Sequence, residues 1–176
     1  MLIPALMTVA GLIVLFVIVV SLRPNTFHVT RSITMAAPAA RPYELVNDFH
    51  RWGAWSPWAK LDPGMKQTYE GASSGTGAIH SWNGGGNVGE GRQTILESRM
   101  NELIRIKLEF FRPFKGTNAV EFTFQPQGSQ AVVTWSMSGN YNFFTKAFGL
   151  FMDMDKMIGG NFEKGLIDMK SLAESA

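Results

Sequence analysis

The chain has no cysteine among its 176 residues. A structural disulfide, a thiol nucleophile and a thiolate metal ligand are therefore all excluded. It also has no run of basic residues: 16 Lys and Arg face 14 Asp and Glu, for a net charge of +2. Nucleic acid finds little electrostatic hold on such a chain. Histidine is scarce, and His28, His50 and His80 fall in separate elements without the carboxylate spacing of a zinc site. Asp153-Met154-Asp155 with Glu163 echoes a calcium loop, but Met157 and Ile158 stand where that loop needs oxygen ligands and glycine. No G-x-S-x-G elbow is present. Gly84-Gly85-Gly86-Asn87-Val88-Gly89 spells G-x-G-x-x-G, yet a strand rather than a helix follows, so it reads as a hairpin turn. No metal, cofactor or nucleic-acid partner is expected.

Charged side chains are missing altogether from Met1 to Leu22. As a helix, Ala5 to Leu22 would span about 27 Å, close to the hydrocarbon thickness of a bilayer. A cleaved signal peptide has a basic n-region and a shorter apolar core, neither of which is found here. The expectation is a retained single-pass transmembrane anchor over residues 1–22 and a linker over 23–26. Four extended residues reach at most about 14 Å, which holds the following domain, 27–176, against its own membrane. Arg23, His28, Arg31 and Arg41 all follow the apolar run, and this places the domain in the cytoplasm.

The rest alternates in a way that specifies strands. Phe27–Met35 puts Phe27, Val29, Ile33 and Met35 on one parity, with Arg31 interrupting that side. Pro38 opens a short helix to Asn47; Trp52, Trp55 and Trp58 then recur every three residues, and Pro57 ends the short helical turn at Ser56. Six strands follow: Lys66–Gly71, Gly77–Trp82, Val88–Arg99, Glu102–Arg112, Asn118–Gln125 and Ala131–Met137. In these, Ile104, Ile106, Leu108 and Phe110 share one face, as do Val120, Phe122 and Phe124, and Val133, Trp135 and Met137. Such a sheet has one wet face and one buried face. Phe143 to Ala173 reads as one long helix, with a stripe from Phe144 through Phe148, Phe151, Met154, Ile158 and Phe162 to Leu172. Gly159-Gly160 in its middle predicts a bend or a close contact with the sheet.

The fold class is thus α+β, a curved antiparallel sheet wrapped around a long C-terminal helix. This order resembles the helix-grip fold of the START/polyketide-cyclase-like (SRPBCC) superfamily, and the local sequence is similar to its small bacterial membrane-tethered members. The resemblance rests on Arg31-Ser32-Ile33 with Ala37-Pro38, on Asn47 to Trp52 with Trp55-Ser56-Pro57-Trp58, and on Gly75-Thr76-Gly77-Ala78 with Trp82. It rests further on Val88 to Gly91, Val133 to Met137 and Met157 to Leu166. It implies an interior pocket and a lipid or other small hydrophobic ligand, bound locally at the membrane that holds the domain. Two alternatives stand beside this: a cyclase- or aromatase-like enzyme using His80, Tyr69 or Glu90, and an interaction domain whose core is simply filled.

The candidate pocket residues are Tyr69, His80, Trp82, Glu90, Arg92, Phe110, Phe122, Phe124 and Trp135 from the sheet, and Phe148, Phe151, Met154 and Phe162 from the helix. His80, Glu90 and Arg92 either form a polar patch within it or face solvent and pair across the strands. Trp55 and Trp58 are expected near a mouth that faces the bilayer.

Overall fold

The computed structural model describes residues 2–86, 88–113, 115–141, 143–150 and 153–175, with side chains except those of Leu2, Ile3, Ala5, Phe144, Phe148 and Met154. Helix α1 (Leu2–Ser21) is followed by strand β1 (Thr26–Met35), helix α2 (Ala40–Asn47) and the short helix α3 (Trp52–Trp55), with a 3-10 turn on each side of α3. Six strands come next: β2 (Lys66–Gly71), β3 (Ala78–Asn83), β4 (Glu90–Arg99), β5 (Leu103–Arg112), β6 (Gly116–Gln127) and β7 (Gln130–Asn140). Helices α4 (Phe143–Phe148) and α5 (Met154–Ser175) complete the chain.

All seven strands form one antiparallel sheet in the order β1-β7-β6-β5-β4-β3-β2. Consecutive strands pair by hairpins from β2 to β7, while β1 closes onto β7 and leaves β1 and β2 as the two edges. The Asn83 to Glu90 connection is the expected hairpin, and the Asp62 carboxylate accepts from Gly85 N at 2.8 Å. Period-2 alternation aims Val29 and Met35, Val133 and Trp135, Phe122 and Phe124, Ile104 and Ile106 at the concave side, where all are buried. Helix α5 lies across β1 and β7 and contributes Phe162, Leu166, Met169 and Ala173 to the same core.

The single long helix expected from the sequence is two helices. Gly149 and Leu150 close the end of α4, and the chain restarts at Asp153, whose side chain accepts from Lys156 N at 3.1 Å. A capping carboxylate followed by helix formers is a start signal. The apolar stripe runs through it and so hides it from periodicity.

The mid-helix glycine behaves as a close contact. A Cβ on Gly159 would collide with the guanidinium of Arg31, which bonds Glu163 at 2.6 Å and Asp155 at 2.9 Å. Thus the residue that interrupts the apolar parity of β1 is the ion-pair partner of α5. Gly165 is the second close approach, with Trp135 at 2.9 Å and Pro57 at 3.1 Å from an added Cβ.

Helix α1 stands away from the domain. Leu12, Ile13, Val14, Leu15 and Val19 are exposed, whereas Val20 is buried where α1 meets α4. The connection is fastened at its foot: Tyr141 N donates to Asn25 O at 2.7 Å, and Lys146 Nζ donates to Asn25 Oδ1. Among the described residues no helix is long and apolar enough to cross a membrane.

Candidate functional site

The concave face divides into two regions. In the first, beneath α5, aromatic rings fill the grip. Trp135 stacks on Phe162 with centroids 4.1 Å apart and on Phe122 at 4.8 Å. Trp55 meets Phe122 and Trp135 edge-on, and Trp58 does the same to Trp135 and Phe162. Trp55 is 0% exposed, and its indole donates to Leu45 O at 3.1 Å. It is core and does not touch the bilayer or a pocket mouth, which corrects the expectation for it. Leu45 of α2 and the rings of Phe122 and Trp135 pack around it. Trp58 is half-buried. Phe122, Phe124, Trp135 and Phe162, expected as pocket lining, are likewise packed together as core. Phe151 lies outside the described residues, as do the side chains of Phe148 and Met154.

In the second region the concave face of β2 to β5 extends beyond α5. Here register decides which side chains meet. His80 pairs with Tyr69 on one side and Gln93 on the other, and Trp82 pairs with Gln67 and Gly91. Gly91 in turn faces Phe110, and Gln93 faces Leu108. Directly opposed residues share a face, so Gln67, Tyr69, His80, Trp82, Gln93, Leu108 and Phe110 line one wing. Leu108, Phe110 and Gln93 are half-exposed.

Glu90 and Arg92 are not among them. They sit opposite Asn83 and Ser81, on the convex face; Glu90 pairs with Arg112 at 2.5 Å, and Arg92 Nε donates to Ser81 at 3.3 Å. The predicted patch of His80, Glu90 and Arg92 therefore does not form. Sequence parity was right within each strand, but the two strands pair one residue out of step with the assumed register. The residues reasoning from sequence missed are Gly91, Gln93 and Gln67. A Cβ on Gly91 would run into the Trp82 ring and would lie 2.5 Å from Glu109 O, so glycine lets the indole lie flat across the strand. Trp82 is held there by its Nε1 bond to Val88 O at 3.0 Å and by an edge contact with Phe110 at 5.8 Å.

His80 is the polar centre of this wing. It is 6% exposed, and its Nε2 lies 2.9 Å from Gln67 Oε1, which also accepts from the Tyr69 hydroxyl at 3.2 Å. An amide oxygen accepts only, so His80 carries its proton on Nε2 and leaves Nδ1 as a bare acceptor. That Nδ1 is buried and unpartnered among the described residues. Burial, and secondarily the nearby His50, pushes the His80 pKa down to about 4, so the ring is neutral at pH 7. Tyr69 stacks between His80, at 5.0 Å, and His50, at 4.2 Å. Burial and then the Asp48 charge raise the Tyr69 pKa, which keeps the hydroxyl protonated. His50 is itself oriented by Asp48, Nδ1 to Oδ1 at 2.8 Å. Among the described residues no group of three or more His, Asp or Glu side chains is placed to hold a metal.

A seven-stranded antiparallel sheet closed onto its C-terminal helix defines a helix-grip protein of the polyketide cyclase and Bet v 1-like type. The chain belongs to the family described as polyketide cyclase / dehydrase and lipid transport, which residues 26–174 match. A comparison with curated proteins finds no match. Among solved structures, protein CV1439 from Chromobacterium violaceum is similar, with 17% identity and a TM-score of 0.58 over 86% of this chain and 99% of that one. The di-domain ARO/CYC protein StfQ of the steffimycin biosynthetic pathway superposes with a TM-score of 0.62 at 11% identity, over 86% of this chain and 51% of StfQ. Truncated norcoclaurine synthase from Thalictrum flavum gives 0.60 at 14% identity, over 84% and 92%. At these identities the likeness is one of fold.

Proposed function

We propose that this chain binds a small hydrophobic ligand on the concave wing of β2 to β5, and that α1 anchors it in the membrane from which the ligand comes. One observation carries the binding reading: the buried, unpartnered His80 Nδ1, on the same face of the sheet as the partly buried Leu108 and Phe110. A buried acceptor without a donor costs about 1–3 kcal/mol, and a ligand hydroxyl or amide would supply the donor. Apolar walls with a few convergent polar groups are the usual composition of a ligand site. The family description, which names lipid transport, fits the same chemistry.

The anchor reading rests on α1 itself. It is 20 residues long without an acidic or basic side chain, about 30 Å at 1.5 Å per residue. Its large apolar side chains are left uncovered by the domain.

The full chain, extracted from membranes in mild detergent, should carry an apolar small molecule detectable by mass spectrometry. Gln93→Trp, which fills the wing, should abolish that retention without lowering thermal stability. A chain that carries nothing, with binding of a fluorescent fatty acid unchanged by Gln93→Trp, would sink the binding reading. The stacked Trp135–Phe162 plug favours a second reading, an interaction domain with a filled core, and that same outcome would support it. A cyclase-like activity would require turnover lost in His80→Gln, because neutral His80 is the available base.

A further inference from the structure

A cleft of about 540 Å³ opens at the foot of α1, between the start of β1 and the segment joining α4 to α5. It lies around the edge strand β1, at the opposite edge of the sheet from the His80 wing. Phe27 and Tyr141, with ring centroids 5.1 Å apart, form an aromatic wall. Arg23 and Lys146 contribute positive charge on the side of α1; Asp153 and Asp155 contribute negative charge at the start of α5. The Arg23 side chain has no partner among the described residues, and Lys146 reaches only the neutral Asn25. The acids are more engaged, yet both stay half exposed: Asp155 is bound by Arg31, and Asp153 caps Lys156 N and lies 3.5 Å from Lys156 Nζ. Burial, then the charges of Asp153 and Asp155, raises the Tyr141 pKa, so its hydroxyl stays a donor.

We propose that this cleft holds the head group of a zwitterionic phospholipid, with the phosphate on Arg23 and Lys146 and the ammonium on Asp153 and Asp155. Both charge pairs line one cleft, which suits a ligand carrying both signs and disfavours one carrying only negative charge. Arg23, which lines the cleft, lies two residues past the end of α1. Leu22, immediately beside Arg23, is 81% exposed, and Val19 and Leu15 continue the exposed apolar surface away from the domain. Acyl chains lying along that surface put the head group at the level of the cleft. This rests on the anchor reading of α1. It differs from the wing site in place and in the part of the lipid that is recognised.

The test uses the full chain in nanodiscs made from equal parts of phosphatidylethanolamine and phosphatidylglycerol, released into a native mass spectrometer. The expected result is one phosphatidylethanolamine retained per chain in preference to phosphatidylglycerol. The pair Arg23→Gln and Lys146→Gln should reduce retention about tenfold or more, as loss of two charge-assisted bonds implies. Asp153→Asn, which keeps a capping oxygen, should shift retention toward phosphatidylglycerol. Chains that enter nanodiscs but retain both lipids equally, with the double variant unchanged, overturn this proposal and leave the anchor intact. Folded chains that stay out of nanodiscs overturn both. Free glycerophosphoethanolamine should compete only weakly; displacement of the lipid at equal concentration would show that the site takes a soluble phosphate compound and would also overturn it.

Discussion

At the residue scale, His80 is the group whose chemistry depends most on its surroundings. Its folded pKa, about 4, lies below the unfolded 6.5. Between these values the unfolded chain binds the proton more readily, so stability falls as pH is lowered from 6.5 toward 4 and levels off below. Each unit is worth about 1.4 kcal/mol, so the loss reaches at most about 3.5 kcal/mol. Urea midpoints measured across this range should show the slope, and His80→Phe should flatten it. An equal slope in both proteins would mean that another group titrates. Sequence alone marked His80 as a candidate, because it shares parity with Ala78 and Trp82. It did not mark Gln67, which supplies the tautomer, because that residue reaches His80 only through the pairing of β2 with β3.

At the element scale, α5 is held by shape as much as by its apolar stripe. Trp135→Ala removes a ring that stacks on both Phe122 and Phe162, and truncation of a buried aromatic costs about 3–5 kcal/mol. Two glycines of α5 should respond oppositely to alanine. Gly160 faces open space, so Gly160→Ala should raise stability by about 0.5–1 kcal/mol, by lowering the entropy of the unfolded chain. Gly165 faces Trp135 and Pro57 at close range, so Gly165→Ala should cost about 1–3 kcal/mol through overpacking. Thermal melts of the three variants check this set. If Gly165→Ala gained stability, the tight seat of α5 on Trp135 would be wrong. The stripe of apolar residues that suggested one rod persists through the break, since period 3.6 reports which face is buried and not whether the backbone is continuous.

On the scale of the whole molecule, a packed domain and a bare helix meet at one stapled junction. Val20 is buried against α4, and Asn25 is bonded to Tyr141 and Lys146. The domain is therefore oriented relative to α1 by contacts as well as by a short linker. The anchor is tested by Val14→Arg, which places a charge at the middle of α1 at a cost of about 2.5–3.5 kcal/mol in a bilayer. That variant should shift the protein from the carbonate-resistant membrane fraction to the supernatant. If the unaltered chain is itself removed by carbonate, α1 does not span. The same packing buries Trp55 in the core. Trp55 is sealed between α2, Phe122 and Trp135.

The sequence by itself determined the class: strand parity, helix stripe and element order were sufficient for a sheet gripping a C-terminal helix. It also put Phe122 and Trp135 on the buried face, because burial of one face is a local, periodic property of each strand; Phe151 and the Met154 side chain, expected in the same interior, lie outside the described residues. The tertiary structure decided everything that depends on how two elements meet. A slip of one residue between β3 and β4 sent Glu90 and Arg92 to the convex face and brought Gln93 beside His80. Arg31 reads as a defect in β1 until α5 supplies Asp155 and Glu163. Whether the aromatic residues enclose a cavity or fill it was likewise undetermined by composition. Ring stacking distances are set by packing across the sheet, and here they fill the region under α5.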